Sequence, residues 1–250
     1  MTLTATMRDK AVRLGGTVGA ARREGGVAVA ARVTAREATG SLRRAGGYLV
    51  ETAVDRRYGM TTRGIVKNDA VVRTGAGDGC YYQATPVVPF RRLVRESGVA
   101  PARTAFVDLG AGRGRALMLA AHLGFREVVG VELDPELAAT ARRNAAAWHA
   151  RRPRHALIEV RTADAAQVAF PEGDLFVFLF NPFGAQTLDR VLDGLTRAVL
   201  ESPRRLTVAY MNPVHADVLA TRRGFRRTAQ GRSWVVHQWD PASRPSVTGA

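Results

Sequence analysis

Cysteine is nearly absent, since the 250 residues contain only Cys80. One thiol closes no internal disulfide and builds no cysteine-based zinc site, so a disulfide-framed secreted module is excluded. Lysine is almost as scarce, with only Lys10 and Lys67 among 37 basic residues. Long apolar runs are missing too: the uncharged stretches are strand-sized, well short of the ~20 residues a membrane-spanning helix needs. Residues 1–47 hold no aromatic side chain. They also lack the continuous apolar core of a secretory signal, because Val27 to Ala31 is flanked at once by Arg23 and Arg32. The arginines suit an organelle transit peptide, but Asp9, Glu24 and Glu37 argue against one, and the expected compartment is the cytoplasm.

The composition is otherwise globular, 46% hydrophobic and 24% charged, enough for one large domain or a domain with an appendage. The formal charge is +15. Such a field can attract nucleic acid or another polyanion. It can equally be an arginine-rich solvated surface, and the scatter of the arginines as pairs (Arg22-Arg23, Arg91-Arg92, Arg142-Arg143, Arg204-Arg205, Arg226-Arg227) favours this second reading.

The texture of the chain divides it into four parts. Residues 1–47 form an Arg/Ala/Gly-rich arm whose glycines interrupt any helix and which cannot bury enough apolar surface to fold alone. Residues 48–99 regain aromatics and form a lid or helical segment. Within it, Thr85 to Ser97 suggests a short helix, with Thr85 as N-cap, Pro86 at N1 and Val88, Phe90, Leu93 and Val94 as its apolar side. Residues 100–242 are the core, and 243–250 a disordered tail.

In the core, strand and helix alternate. Strands are expected at Ala105 to Leu109, Glu127 to Leu133, Ala156 to Arg161, Leu175 to Phe180 and Leu206 to Met211. Gly124 suits a left-handed helix end, and Asp134-Pro135-Glu136 suits a helix start. Leu188, Val191, Leu192, Leu195 and Val199 make the clearest helical stripe. Phe225 to Ala229 and Trp234 to Trp239, with Gly231 between, suggest a final antiparallel hairpin. The expected fold is α/β: a mostly parallel seven-stranded sheet, helices on both faces and an antiparallel C-terminal edge. Ligands of such sheets bind at the carboxyl ends of the strands, where the strand order reverses.

Chemistry-bearing residues sit at those ends. Val107 to Arg115, VDLGAGRGR, spaces Asp108, Gly110, Gly112 and Gly114 as acid-x-Gly-x-Gly-x-Gly. Glycines let the backbone turn tightly and approach a ligand, and the helix that follows offers free N–H groups to an anion. A dinucleotide fingerprint would require a sixth-position glycine, where Arg115 stands. Asp108 would repel a pyrophosphate but could hold a cationic amine. Glu132, at the end of the second strand, could accept from ribose hydroxyls. Asp164, past the third, could accept from an adenine amine.

Together these residues resemble the class I S-adenosylmethionine-dependent methyltransferases over Tyr82 to about Trp239, a Rossmann-like superfamily. The resemblance implies that Gly110, Gly112 and Gly114 line the methionine side of the cofactor, with Asp108 near its amino-acid end. Glu132 would then face the ribose and Asp164 the adenine. Tyr82 and Thr85, in YQATP, would belong to a lid on the cofactor. After strand four, Asn181-Pro182-Phe183-Gly184 takes the place of the Asn/Asp-Pro-Pro-aromatic motif of amino-methylating members. It keeps Asn181 and Pro182, as candidates to orient the acceptor, and offers Phe183 to stack on a flat substrate or the cofactor.

Methyl transfer from a sulfonium is an in-line displacement governed by proximity and exclusion of water. That chemistry needs no catalytic triad or metal, and the five histidines show no ligand spacing. His215 alone is placed to act as a base, though a capping or surface role suits it better. The expected activity is methyl transfer from S-adenosylmethionine to a nitrogen or oxygen of an unidentified acceptor, a small molecule, a protein or a nucleic acid. Two rivals stand beside it: a nucleotide-cofactor oxidoreductase, disfavoured by Asp108 and Arg115, and an inactive methyltransferase fold that binds nucleic acid or another polyanion.

Overall fold

The computed structural model describes residues 50, 52–62, 65–66 and 82–240. The arm expected at 1–47 and the tail expected at 243–250 lie outside them. The chain divides after Thr52, and the account below concerns the unit Ala53–Ala250. Helical residues 53–58 (α1) turn at Gly59, whose φ is +66°. The two-residue strands β1 (Ile65–Val66) and β2 (Tyr82–Gln83) pair antiparallel. Helix α2 (Val87–Glu96) then leads to the main sheet.

Helix α2 starts later than its sequence suggests. Pro86, extended at ψ 127°, is the N-cap, and no side chain caps the helix. Thr85 therefore caps nothing and is buried in the approach. The inward face shifts with it, burying Val87 with Phe90, Leu93 and Val94 and leaving Val88 65% exposed.

The sheet consists of β3 (Thr104–Leu109), β4 (Glu127–Glu132), β5 (Ile158–Thr162), β6 (Asp174–Phe180), β7 (Leu206–Met211), β8 (Phe225–Gly231) and β9 (Trp234–Trp239). Its order is β5-β4-β3-β6-β7-β9-β8. The first five strands are parallel, and β9 is antiparallel to both β7 and β8. The hairpin turn is Arg232-Ser233, with Gly231 closing β8 opposite Trp234 rather than forming the turn. Strand β5 begins at Ile158, not Ala156, because its pairing with Val128 is the first that β4 offers on this edge. Strand β4 ends at Glu132, where the chain bends to return the Asp134 N–H to the Glu132 carboxylate.

The crossovers are α3 (Arg115–His122), α4 (Pro135–Arg151) and α5 (Ala185–Glu201), followed by the short α6 (Ala216–Ala220). Gly124, at φ +82°, follows the end of α3 as expected. Asp134 caps α4, accepting from the N–H groups of Glu136 and Leu137 at 2.8 and 3.2 Å. The pleat splits the core in two. On one side Phe106, Phe176 and Phe178 pack with Phe90 of α2 and with Phe125. On the other, Val107, Val177 and Leu179 meet the α5 stripe of Leu188, Val191, Leu192, Leu195 and Val199, all buried. Parallel strands covered on both faces are apolar throughout, and β3 is buried at every position.

The core also takes in polar side chains. His237 on β9, opposite Val208 and Arg227, is 1% exposed, and neither ring nitrogen has a hydrogen-bond partner. Burial, with the Arg227 charge, pushes its pKa down to about 4. The unfolded chain binds this proton near pH 6.5 and the folded one only near pH 4, so the contribution of this site to stability falls on acidification across that window. Relative to His237→Leu, the wild type should lose roughly 3 kcal/mol of unfolding free energy between pH 7 and pH 4. Urea titrations at both pH values measure it, and parallel pH profiles would refute the buried neutral histidine.

Candidate active site

The strand order reverses at β3, so the crevice lies beyond the carboxyl ends of β3, β4 and β6. The glycine loop leaves β3 there. Gly110, Gly112 and Gly114 all have positive φ, at 85°, 55° and 84°, a region that side chains disfavour. At Gly110 the need is also steric, because a Cβ would stand 2.4 Å from the Cβ of Pro182. The turn after β6 thus lies directly on the turn after β3, and the two motifs share one wall. Gly114 is the N-cap of α3, with no side-chain cap, and a Cβ there would stand 3.2 Å from the Cβ of Ala141 on α4, a milder constraint.

Two carboxylates flank this loop. Asp108 is 3% exposed at the end of β3, and its pKa is raised well above the usual carboxylate value by burial and by the charge of Glu132. Glu132, 5% exposed, braces the loop: Gly112 N–H donates to its Oε2 at 2.7 Å and Asp134 N–H to its Oε1 at 2.9 Å. Its pKa is also raised, by burial, although these backbone donors oppose the rise. Asp164, beyond β5, is half-buried and accepts from Ala166 N–H at 2.9 Å and Gln167 Nε2 at 3.3 Å.

The fourth-strand motif separates into distinct roles. Asn181 takes a left-handed φ of 45°, and its Oδ1 accepts from Tyr210 Oη at 3.1 Å. Pro182 abuts Gly110. Phe183, offered above as a stacking ring, is 8% exposed and belongs to the apolar cluster with Leu109, Leu179 and Leu188. Tyr82 pairs with Val66 in the small β1–β2 ladder, and Thr85 is 6% exposed. His215 precedes α6 without a side-chain capping bond, and its N–H donates to Tyr210 Oη at 3.4 Å.

Sequence reasoning missed four residues that hold the loop from behind. Arg115, 1% exposed, donates from Nε to Thr62 Oγ1 at 2.7 Å and from Nη2 to Asp55 Oδ1 at 3.2 Å. Asn144 of α4 accepts from Thr61 N–H at 3.0 Å and donates to the Arg113 carbonyl at 2.9 Å. The available signal was weak. An arginine in the first turn of a helix opposes the dipole and demands a counter-charge, but nothing local points to Asp55, 60 residues earlier. Tyr210 inside apolar β7 was legible only as a core residue.

Among the described residues no cluster could hold a metal ion, and no helix is long and apolar enough to cross a membrane.

A seven-stranded sheet of this order, with a glycine loop after its first core strand and an acid closing the second, has the class I Rossmann-like methyltransferase architecture. Residues 106–201 match the family model described as a methyltransferase domain. No curated protein matches the chain in sequence. Solved structures similar to it include an RNA methyltransferase from Salinibacter ruber in complex with S-adenosyl-L-homocysteine. It is 22% identical with a TM-score of 0.39, over 66% of this chain and 99% of that one. Magnesium protoporphyrin IX methyltransferase from Synechocystis, with bound S-adenosylmethionine, is 16% identical at a TM-score of 0.40, over 60% and 74% of the two chains. A ribosomal protein L11 methylase from Lactobacillus delbrueckii is 19% identical at 0.41, over 60% and 74%.

The raised pKa of Asp108 has a measurable sign. A carboxyl that holds its proton more tightly when folded stabilises the fold at low pH, and this contribution is lost as pH rises through the folded pKa. Asp108→Asn should therefore melt higher than the wild type at pH 8 in the absence of ligand, with the difference shrinking toward pH 5. Scanning calorimetry at both pH values tests this. A variant that melts lower at pH 8 would mean that the ionised carboxylate is already well solvated.

Proposed function

We propose that the chain is an S-adenosylmethionine-dependent methyltransferase acting on a nitrogen or oxygen acceptor. One observation carries the reading: two buried carboxylates, Asp108 and Glu132, flank a loop of three left-handed glycines at the start of a helix. This donor set fits a ligand with an ammonium, a carboxylate and a ribose. Asp108 suits the ammonium, whose charge would favour the ionised carboxylate. The uncapped start of α3 suits the carboxylate. The Glu132 carboxylate has about four acceptor positions and spends two on Gly112 and Asp134, so it retains capacity for ribose hydroxyls. Asp164 would accept from the adenine amine, with Tyr82 and Thr85 in the segment that covers the site.

When bound, the cofactor supplies a methyl group already activated on a sulfonium. The chain's own residues then have to align the acceptor and exclude water. Asn181 is the orienting candidate: its backbone is held by the turn against Gly110, and Tyr210 Oη fixes its amide oxygen. Asn181 would thereby present its amide toward a donor N–H or O–H of the substrate. No dedicated base is assigned, which suits an acceptor that is neutral at the working pH or loses its proton after transfer.

Calorimetric titration with S-adenosylhomocysteine, using NAD as control, tests the cofactor. Binding of the first alone is expected. Binding of neither by folded protein would favour the inactive, polyanion-binding alternative. Glu132→Ala should weaken S-adenosylhomocysteine binding at least tenfold, and unchanged affinity in a folded variant would remove the ribose assignment. With labelled methyl donor and a responsive acceptor, Asn181→Ala should lower turnover more than cofactor affinity. Tyr210→Phe should do so more mildly. A selective loss of cofactor affinity in either variant would move Asn181 into the cofactor site.

A further inference from the structure

The glycine loop and the residue that follows it are held at Gly112, Arg113 and Arg115 by three different parts of the chain. Glu132, at the end of β4, takes the Gly112 N–H; Asn144, on α4, takes the Arg113 carbonyl; Asp55 and Thr62 take the Arg115 side chain. The first two belong to the core of the domain. The third comes from residues 55–62, a strap preceding the sheet. This strap is closed on itself: Met60 N–H donates to the Asp55 carbonyl at 2.8 Å, and Thr62 reaches the Asp55 carboxylate with Oγ1 at 2.6 Å and with N–H at 3.3 Å. Asn144 also bonds Thr61, so it grips strap and loop together.

The electrostatics give this contact consequence. Arg115 opens α3, at the positive end of the helix dipole, and is 1% exposed. A guanidinium there is tolerable only with a counter-ion. The recorded ion pair of Arg115 is with Asp55, itself 6% exposed, and Thr62 at 0% seals it from water. If the strap leaves, Arg115 loses the Asp55 ion pair and the Thr62 acceptor at the first position of α3, directly after Gly114.

We propose that Asp55, Thr62 and Arg115 are positioning residues for the cofactor loop, so that docking of the 55–62 strap and occupation of the cofactor site stabilise each other. The inference rests on the cofactor reading given above. Coupling of this kind is reciprocal: what the strap contributes to ligand affinity, the ligand returns to strap docking.

The test uses the full chain, S-adenosylhomocysteine, and Thr62→Val, which keeps the volume and the Asp55–Arg115 charges but removes the hydroxyl between them. Thr62→Val should bind at least tenfold more weakly, and Thr62→Ser should recover most of the loss. Val199→Ala, a destabilising change at the far end of α5, controls for stability alone and should bind as the wild type does. In the wild type, ligand should slow amide exchange at Thr61 and Thr62 more than at the β8–β9 hairpin. Absence of binding by the wild type would overturn the cofactor reading and this inference with it. Wild-type binding matched by Thr62→Val, or equal weakening in Val199→Ala, would overturn the inference alone. Equal protection of strap and hairpin would likewise show that the strap merely shares global stability.

Discussion

The carboxylate of Glu132 is the point on which the site depends. It closes β4, is nearly inaccessible to water, and spends its charge on two backbone N–H groups, one from the glycine loop and one from the turn into α4. Burying an acid is costly, and hydrogen bonds to the ionised form reduce that cost without cancelling it, so the pKa stays raised. Without it Gly112 would lose its link to β4, while Gly110 and Ala111 would stay bonded to the Val131 carbonyl. The same acid raises the pKa of Asp108, so the two carboxylates form one electrostatic unit rather than two separate contacts.

Around that unit the close approaches follow. Gly110 admits Pro182, Gly114 admits α4, and Gly130 on β4 lies against Leu117 of α3. Each is a place where a side chain would push apart elements that carry site residues. The crevice is therefore set by backbone proximity, with the polar side chains arranged on its rim. Tyr210 extends the arrangement by linking the end of β6, through Asn181, to the segment that begins α6, through the His215 N–H.

Most of the fold was legible because its signals are local. Burial on both faces makes parallel strands uniformly apolar, and α5 carries its stripe without interruption. The boundaries that moved did so for non-local reasons: α2 slid one residue because its inner face is chosen by Phe106 and Phe178, and β5 started late because only β4 offers it a partner. Phe183 was read from its place after Asn181-Pro182, and its packing was not legible there. Its burial is decided by Leu179 and Leu188, whose positions no local pattern reports.

The sequence by itself determined the order of strands and helices, the left-handed glycines of the loop and the acids at the strand ends, since each is a property of a few adjacent residues. Tertiary structure decided what those residues meet. It turned Glu132 toward its own backbone, set Pro182 on Gly110, gave Asn181 to Tyr210, and buried Arg115 against an aspartate 60 residues away. The physical reason is range. Backbone conformation and hydrophobic period are fixed within a turn or two of chain, whereas the partner of a buried charge is whichever opposite group the packing of the whole domain delivers to it.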